Sequence, residues 1–116
     1  METYVIIKDQ FPAFHAWSAC PYDEVAFLRQ PHRHMFHIQI KIKVSHYNRD
    51  VEFFMIKNTL AKILHESYVN QFFGDASCEM LCKNIKQDLV SNYPILLNIH
   101  SIQVWEDGEN GAEVIF

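Results

Sequence analysis

His32-Arg33-His34-Met35-Phe36-His37-Ile38-Gln39-Ile40-Lys41-Ile42-Lys43-Val44 is the stretch whose reading decides the fold. Its even positions read His, His, Phe, Ile, Ile, Ile, Val, and its odd positions Arg, Met, His, Gln, Lys, Lys. Successive side chains of a strand point to opposite faces, so this alternation predicts one long strand with a buried and a polar face. His32 and His34 continue the buried row. Upstream, residues 4–15 read as an earlier strand, with Val5, Ile7, Phe11, Ala13 and His15 sharing a parity. Pro12 cannot donate to a ladder, which predicts an edge position or a bulge there. Residues 16–31 show no clear periodicity and read as a loop.

Downstream, Asn48-Arg49-Asp50 predicts a turn, after which the period changes to 3.6. Phe53, Ile56, Leu60, Ile63, Leu64 and Ser67 form one helical stripe. A second helix is predicted after Gly74-Asp75, with Cys78, Leu81, Cys82, Ile85 and Leu89 on its apolar side, Glu79 in its first turn and Asn92-Tyr93-Pro94 at its end. Ile99–Glu106 alternates again, which places His100, Ile102, Val104 and Glu106 on one face. Asp107-Gly108-Glu109-Asn110-Gly111 predicts a hairpin loop leading to a last strand over residues 112–116. The expected class is α+β, in the order ββααββ, with an antiparallel sheet and two helices on one face. The open edges of such a sheet favour assembly into an oligomer.

Composition excludes several classes of function. The chain has 116 residues, enough for one domain spanning 1–116, with 49% hydrophobic and 21% charged residues. No apolar run approaches the roughly 18–20 residues of a membrane span. A net charge of −4 offers nothing to a nucleic-acid backbone. The start, METYVIIKDQF, lacks a basic segment followed by an apolar one, so no signal peptide and a cytoplasmic location are expected. Cys20, Cys78 and Cys82 are read as reduced thiols. Cys78 and Cys82, at i and i+4 of an apolar stripe, read as core. His37 and His46 read as exposed, and His100 as a packed core histidine.

The histidines carry the chemistry. Residues i and i+2 of a strand face the same way, so His32 and His34 can aim two imidazoles at one point, and His15 ends the preceding strand. Three imidazoles suit Zn²⁺ and leave one coordination position open. An incidental pair on a strand face has the same His-x-His spacing, and the residues alone leave both readings open.

Phe11-Pro12-Ala13-Phe14-His15 resembles the F-x-A-x-H of the 6-pyruvoyl- and 6-carboxytetrahydropterin synthase family, and His32-Arg33-His34 resembles its H-G-H. Glu52-Phe53-Phe54-Met55-Ile56-Lys57 is similar to the family's D-F-x-x-L-K, Ser77-Cys78-Glu79 to its T-[ST]-E, and Val104-Trp105-Glu106 to its V-x-E. These blocks run in order across nearly the whole chain. The resemblance implies the tunnelling fold, whose barrels form by strand pairing between subunits, in trimers or hexamers. It implies zinc on His15, His32 and His34. Its substrate would be 7,8-dihydroneopterin triphosphate or a related pterin, with lyase-type chemistry. Glu106 would hold the pterin's amino-pyrimidinone edge, and Ser77 and Cys78 would help hold the ring. A carboxylate suits that edge because it accepts two N–H bonds side by side. A pocket is expected with metal at one side and Glu106 at the other.

The chain departs from the family at the proton-transfer positions. Leu28 stands where the family carries a cysteine base, four residues before His32, and Cys20 does not match. Glu24, with Asp23 beside it, is the substitute carboxylate. The family's L-D-H-x-x-L-N corresponds to Leu64-His65-Glu66-Ser67-Tyr68-Val69-Asn70, which leaves His65 and Glu66 as a substitute acid–base pair. Arg33 replaces the glycine of H-G-H and is the expected cation for an oxyanion or phosphate. The connection between the helices is about five residues shorter than expected. These departures support a second expectation, a catalytically inactive member that binds or sequesters a pterin, purine-like or nucleotide-like ligand.

Overall fold

A computed structural model describes residues 1–94 and 98–116. Two strands, two helices and two strands follow in order: β1 (Thr3–His15), β2 (His32–Val44), α1 (Phe53–Ser67), α2 (Cys78–Asn92), β3 (Ile99–Glu106) and β4 (Asn110–Ile115). The sheet is antiparallel, in spatial order β1-β2-β3-β4. The α+β class and the ββααββ order are those the sequence predicts. Pro12 lies on an edge strand in an unbroken ladder from Thr3↔Val44 to His15↔His32, so no bulge is needed to accommodate it.

The alternating row of β2 is the floor of the core. Phe36 and Ile40 are fully buried, with Ile38 and Ile42 almost so. Ile56, Leu60, Ile63 and Leu64 of α1 and Leu81, Cys82, Ile85 and Leu89 of α2 close over it. Both helices begin on side-chain caps: Glu52 accepts from Met55 N at 2.9 Å, and Ser77 from Met80 N at 3.2 Å. Phe53 and Ser67, at the ends of the predicted α1 stripe, are exposed.

Four local expectations are corrected. The segment 16–31 carries 3-10 turns over Asp23–Arg29, with a kink at Val25. A β-bulge at the Lys41/Ile42 step breaks the parity of β3. Ile99 is therefore in the core, while half-buried His100 packs against Tyr4 with ring centroids 4.9 Å apart, away from Glu106's row. The β3–β4 hairpin is tighter than predicted, since Glu106 pairs with Asn110 and only Asp107-Gly108-Glu109 turn. Asp107 and Gly108 adopt φ of +55° and +71°, and Gly108 lies beside His37, which is half-buried and not exposed. A Cβ at Gly111 would meet Val104 O at 2.5 Å, so this close strand approach requires glycine.

Candidate metal centre and its cavity

β1 and β2 run past the end of β3, whose ladder with β2 stops at Phe36↔Glu106. This overhang carries the three histidines. His15 and His32 are paired neighbours across β1 and β2, and His34 is two residues along the same face. Their rings meet edge-on, with centroids 4.6 Å (His15–His32), 4.9 Å (His32–His34) and 5.2 Å (His15–His34) apart. Phe36 supports the rings of His15 and His34 from the core side. One ligand atom from each histidine lies within 4.8 Å of the other two, so His15, His32 and His34 form a group able to hold a metal ion.

Each ring is oriented from behind by an oxygen. His15 Nδ1 donates to the Ala76 carbonyl at 2.8 Å, His32 Nδ1 to the Gln30 carbonyl at 2.9 Å, and His34 Nδ1 to Asp107 Oδ2 at 2.7 Å. An acceptor at Nδ1 selects the tautomer that leaves Nε2 a bare lone pair. All three Nε2 atoms are buried without a hydrogen-bond partner. Glu106 adds two more acceptors: Oε1 is 3.4 Å from His15 Nε2 and Oε2 is 3.1 Å from His34 Nε2. These contacts are within ion-pairing range but off the hydrogen-bonding line. Lone pairs and a carboxylate converging without a donor repel one another unless a cation sits among them. Burial lowers the His15 pKa, opposed by the Ala76 carbonyl and the Glu106 carboxylate, which favours the neutral imidazole a metal requires. A nitrogen-rich donor set of this kind fits zinc.

The structure thus brings Glu106 directly against the histidines, where the expectation had metal and carboxylate at opposite sides of a pocket. It also shows a residue that sequence reading passed over as part of a turn. Asp107 receives the Met35 amide on Oδ1 at 2.9 Å, and its own amide donates to Met35 O at 2.8 Å. It therefore continues the β2 ladder where β3 has ended. The His34 hydrogen bond holds its carboxyl below the usual range. An acidic residue next to Glu106 at a hairpin mouth was the available signal.

The α1–α2 connection positions the other wall. Asn70 N donates to Pro12 O, Phe14 N to Gln71 O, Phe73 N to Phe14 O, and Ala16 N to Gly74 O, all between 2.6 and 2.9 Å. This short segment runs along the free edge of β1, with Asn70 and Gly74 at positive φ, and delivers Ala76 to His15. Beside it lies a cavity of about 550 Å³, walled by Trp17, Leu28, Ser77, Cys78, Met80 and Glu106 among others, with His15 and His32 at its base. Cys78 is buried, its Sγ 3.6 Å from Glu106 Oε1, and burial with the adjacent carboxylate pushes its thiol up to about 12. Leu28 is held in the wall by its carbonyl, which accepts from Trp17 N at 2.6 Å.

The remaining candidate residues are not gathered there. Arg33 is exposed and, one residue from each ligand of β2, points to the opposite sheet face. Glu24 is exposed on the 3-10 segment outside the cavity wall, and Asp23 pairs with Arg29 at 3.2 Å. His65 and Glu66 are exposed on α1, likewise outside the wall.

No family model matches the chain, and no curated protein sequence matches it. Solved structures do. The 6-pyruvoyl tetrahydropterin synthase of Caenorhabditis elegans superposes with a TM-score of 0.78 at 12% identity, over 100% of this chain and 96% of that one. An uncharacterised protein from Wolinella succinogenes gives 0.74 at 11% identity, over 99% and 98%. The Plasmodium vivax 6-pyruvoyl tetrahydropterin synthase gives 0.70 at 12%, over 98% and 97%. The class is therefore α+β, with the four-stranded sheet and paired helices of the tunnelling fold. More narrowly, the chain has the fold of the 6-pyruvoyl tetrahydropterin synthases along its whole length. Among the described residues, no helix is long and apolar enough to cross a membrane.

Proposed function

We propose that this chain is a zinc-dependent protein of the 6-pyruvoyl/6-carboxytetrahydropterin synthase type, acting on 7,8-dihydroneopterin triphosphate or a related pterin. The observation that carries the proposal is the set of three buried Nε2 atoms left without partners beside the Glu106 carboxylate. His15, His32 and His34 would hold zinc, which when bound supplies Lewis-acid polarisation of a ligand oxygen. Glu106 has two carboxylate oxygens to accept adjacent N–H groups of an amino-pyrimidinone edge. Ser77 and Cys78, at the start of α2, line the space such a ring would fill. The Trp17, Leu28 and Met80 side chains offer apolar surface to its faces. The family's pattern of assembly extends the proposal to a homo-oligomer, a trimer or hexamer, working in the cytoplasm.

Leu28 in the cavity wall favours a second reading, in which the site binds a pterin or purine-like ligand without converting it. The wall offers the carboxylates Asp75, Glu79 and Glu106 and the high-pKa thiol of Cys78, and Asp75 is engaged by Ser18 N and Oγ at 2.9 and 2.8 Å. Metal analysis of the purified protein, then calorimetry and product analysis with pterins, tests both readings. Binding with turnover supports the first, and binding without turnover the second. Zinc-loaded protein that binds neither a pterin nor, in the same titration, a guanine derivative refutes both.

A further inference from the structure

We infer that Glu106 is an exchangeable fourth ligand of the metal, a carboxylate that caps the ion in the ligand-free chain and is drawn off it by an incoming ring. For the cap this rests on the zinc reading above, and for the exchange on the pterin reading.

The contacts that carry it all lie within one chain, so the cap needs no neighbouring subunit. Acceptors on Ala76, Gln30 and Asp107 occupy the three Nδ1 atoms, which leaves Nε2 of His15, His32 and His34 as lone pairs. Glu106 Oε1 lies 3.4 Å from His15 Nε2, and Oε2 lies 3.1 Å from His34 Nε2. Neither contact is a hydrogen bond, since both Nε2 atoms remain without partners at these distances. A proton shared between ring and carboxylate would lie close to the N···O line. Two ligands of one ion instead point past each other towards a common centre. Donors held about 2.0–2.2 Å from a tetrahedral zinc stand about 3.3–3.6 Å apart. The Glu106 contacts, at 3.4 and 3.1 Å, are close to that separation.

The way Glu106 is held allows it a second position. Its backbone is fixed at the end of β3, paired with Phe36 on one side and Asn110 on the other. Its side chain keeps 30% exposure, and the Cys78 thiol in the cavity wall donates to Oε1 at 3.6 Å. The carboxylate can therefore turn from the imidazoles towards Cys78 while the main chain stays at rest. An amino-pyrimidinone edge takes both carboxylate oxygens, so clamping the ring withdraws Glu106 from the ion. His15 and His32 face the cavity, and the position that Glu106 gives up opens beside them. Competition for one carboxylate thus links ring binding to the opening of a coordination site, and shields the ion from other donors until a ring arrives.

The test is visible absorption spectroscopy of the full chain loaded with cobalt(II), whose bands report its ligands. Sodium azide serves as the probe of an open position, and pterin, the ring without a side chain, as the competitor for Glu106. Glu106→Ala is expected to change the azide-free bands. A cap closed for at least about nine-tenths of the time makes azide binding at least about tenfold weaker in wild type than in the variant. Pterin is expected to raise the azide affinity of wild type towards that of Glu106→Ala and to leave the variant's unchanged. If Glu106→Ala takes up no cobalt, Glu106→Gln replaces it in the same comparison. Identical azide-free bands and equal azide affinities in wild type and variant overturn the cap. Pterin that binds by calorimetry without raising the wild-type azide affinity overturns the exchange. Failure of pterin to bind also overturns the exchange, while the azide comparison still decides the cap. Wild type that takes up no metal refutes the zinc reading and the cap with it.

Discussion

Replacing Asp107 by asparagine removes the charge behind His34 and keeps most of the geometry. Asparagine tolerates the left-handed φ of +55°, and its side-chain oxygen can still accept the Met35 amide. The atom facing His34 Nδ1 then becomes the amide NH2, so the charge-assisted hydrogen bond of 2.7 Å is lost and a donor meets a donor. That bond makes the opposite nitrogen a stronger donor and holds the ring in line. Removing such a partner behind a metal-bound histidine weakens the metal by about 10- to 100-fold. The Asp107 side chain is 51% exposed, so solvent screens part of its charge and the lower end applies. The expected loss is about tenfold in zinc affinity, or about 1.4 kcal/mol. Competition with a chromophoric chelator measures it, and the melting temperature of the metal-free variant checks that the fold is kept. Asp107→Ala, which also gives up the Met35 hydrogen bond and places alanine at positive φ, is expected to lose more. Zinc affinity of Asp107→Asn within about twofold of wild type would refute the assignment of Asp107 as a positioning residue.

His32→Ala is expected to abolish stoichiometric zinc in metal analysis of protein that still shows wild-type circular dichroism, because the ring is only half-buried and holds no core contact in place. Gly111→Ala forces a Cβ to within 2.5 Å of Val104 O, and a drop of several degrees in melting temperature is expected from the strain. Phe36→Ala empties a fully buried site under the histidines; chemical denaturation should show a loss of about 3–5 kcal/mol. Burial pushes the Cys82 thiol from 9.0 to about 11, so the folded chain keeps a proton that the unfolded chain releases above pH 9. Stability from this group is complete below pH 9 and falls as pH rises towards 11, by at most about 1.4 kcal/mol per pH unit. Denaturant midpoints from pH 8 to 10.5 should therefore decline less steeply in Cys82→Ala than in wild type.

The local periodicities were legible because each reports a face buried along its own element. The even row of β2 had to be inward, and His32 and His34 inherit that direction from Phe36 and Ile38. The stripes of α1 and α2 name their core residues for the same reason. The parity that paired His32 with His34 also set Arg33 on the other face, a consequence the family resemblance obscured. The bulge was not legible. Whether Ile99 or His100 takes the core position depends on which slot β2 leaves open, and both residues fit an alternating pattern.

The site divides along the same line. By itself the sequence determined which residues could be metal ligands, since two strands ending in histidine at matching parity have few places to put them. Only the tertiary structure decided how those candidate ligands are held. β3 stops short of the end of β2, and that difference in strand length opens room for Asp107 to orient His34 and for Glu106 to turn onto the imidazoles. The α1–α2 connection lies on the free edge of β1 and brings the Ala76 carbonyl 61 positions along the chain to His15. Contacts across such separations follow from register and loop closure in space, which leave no periodic trace in the chain.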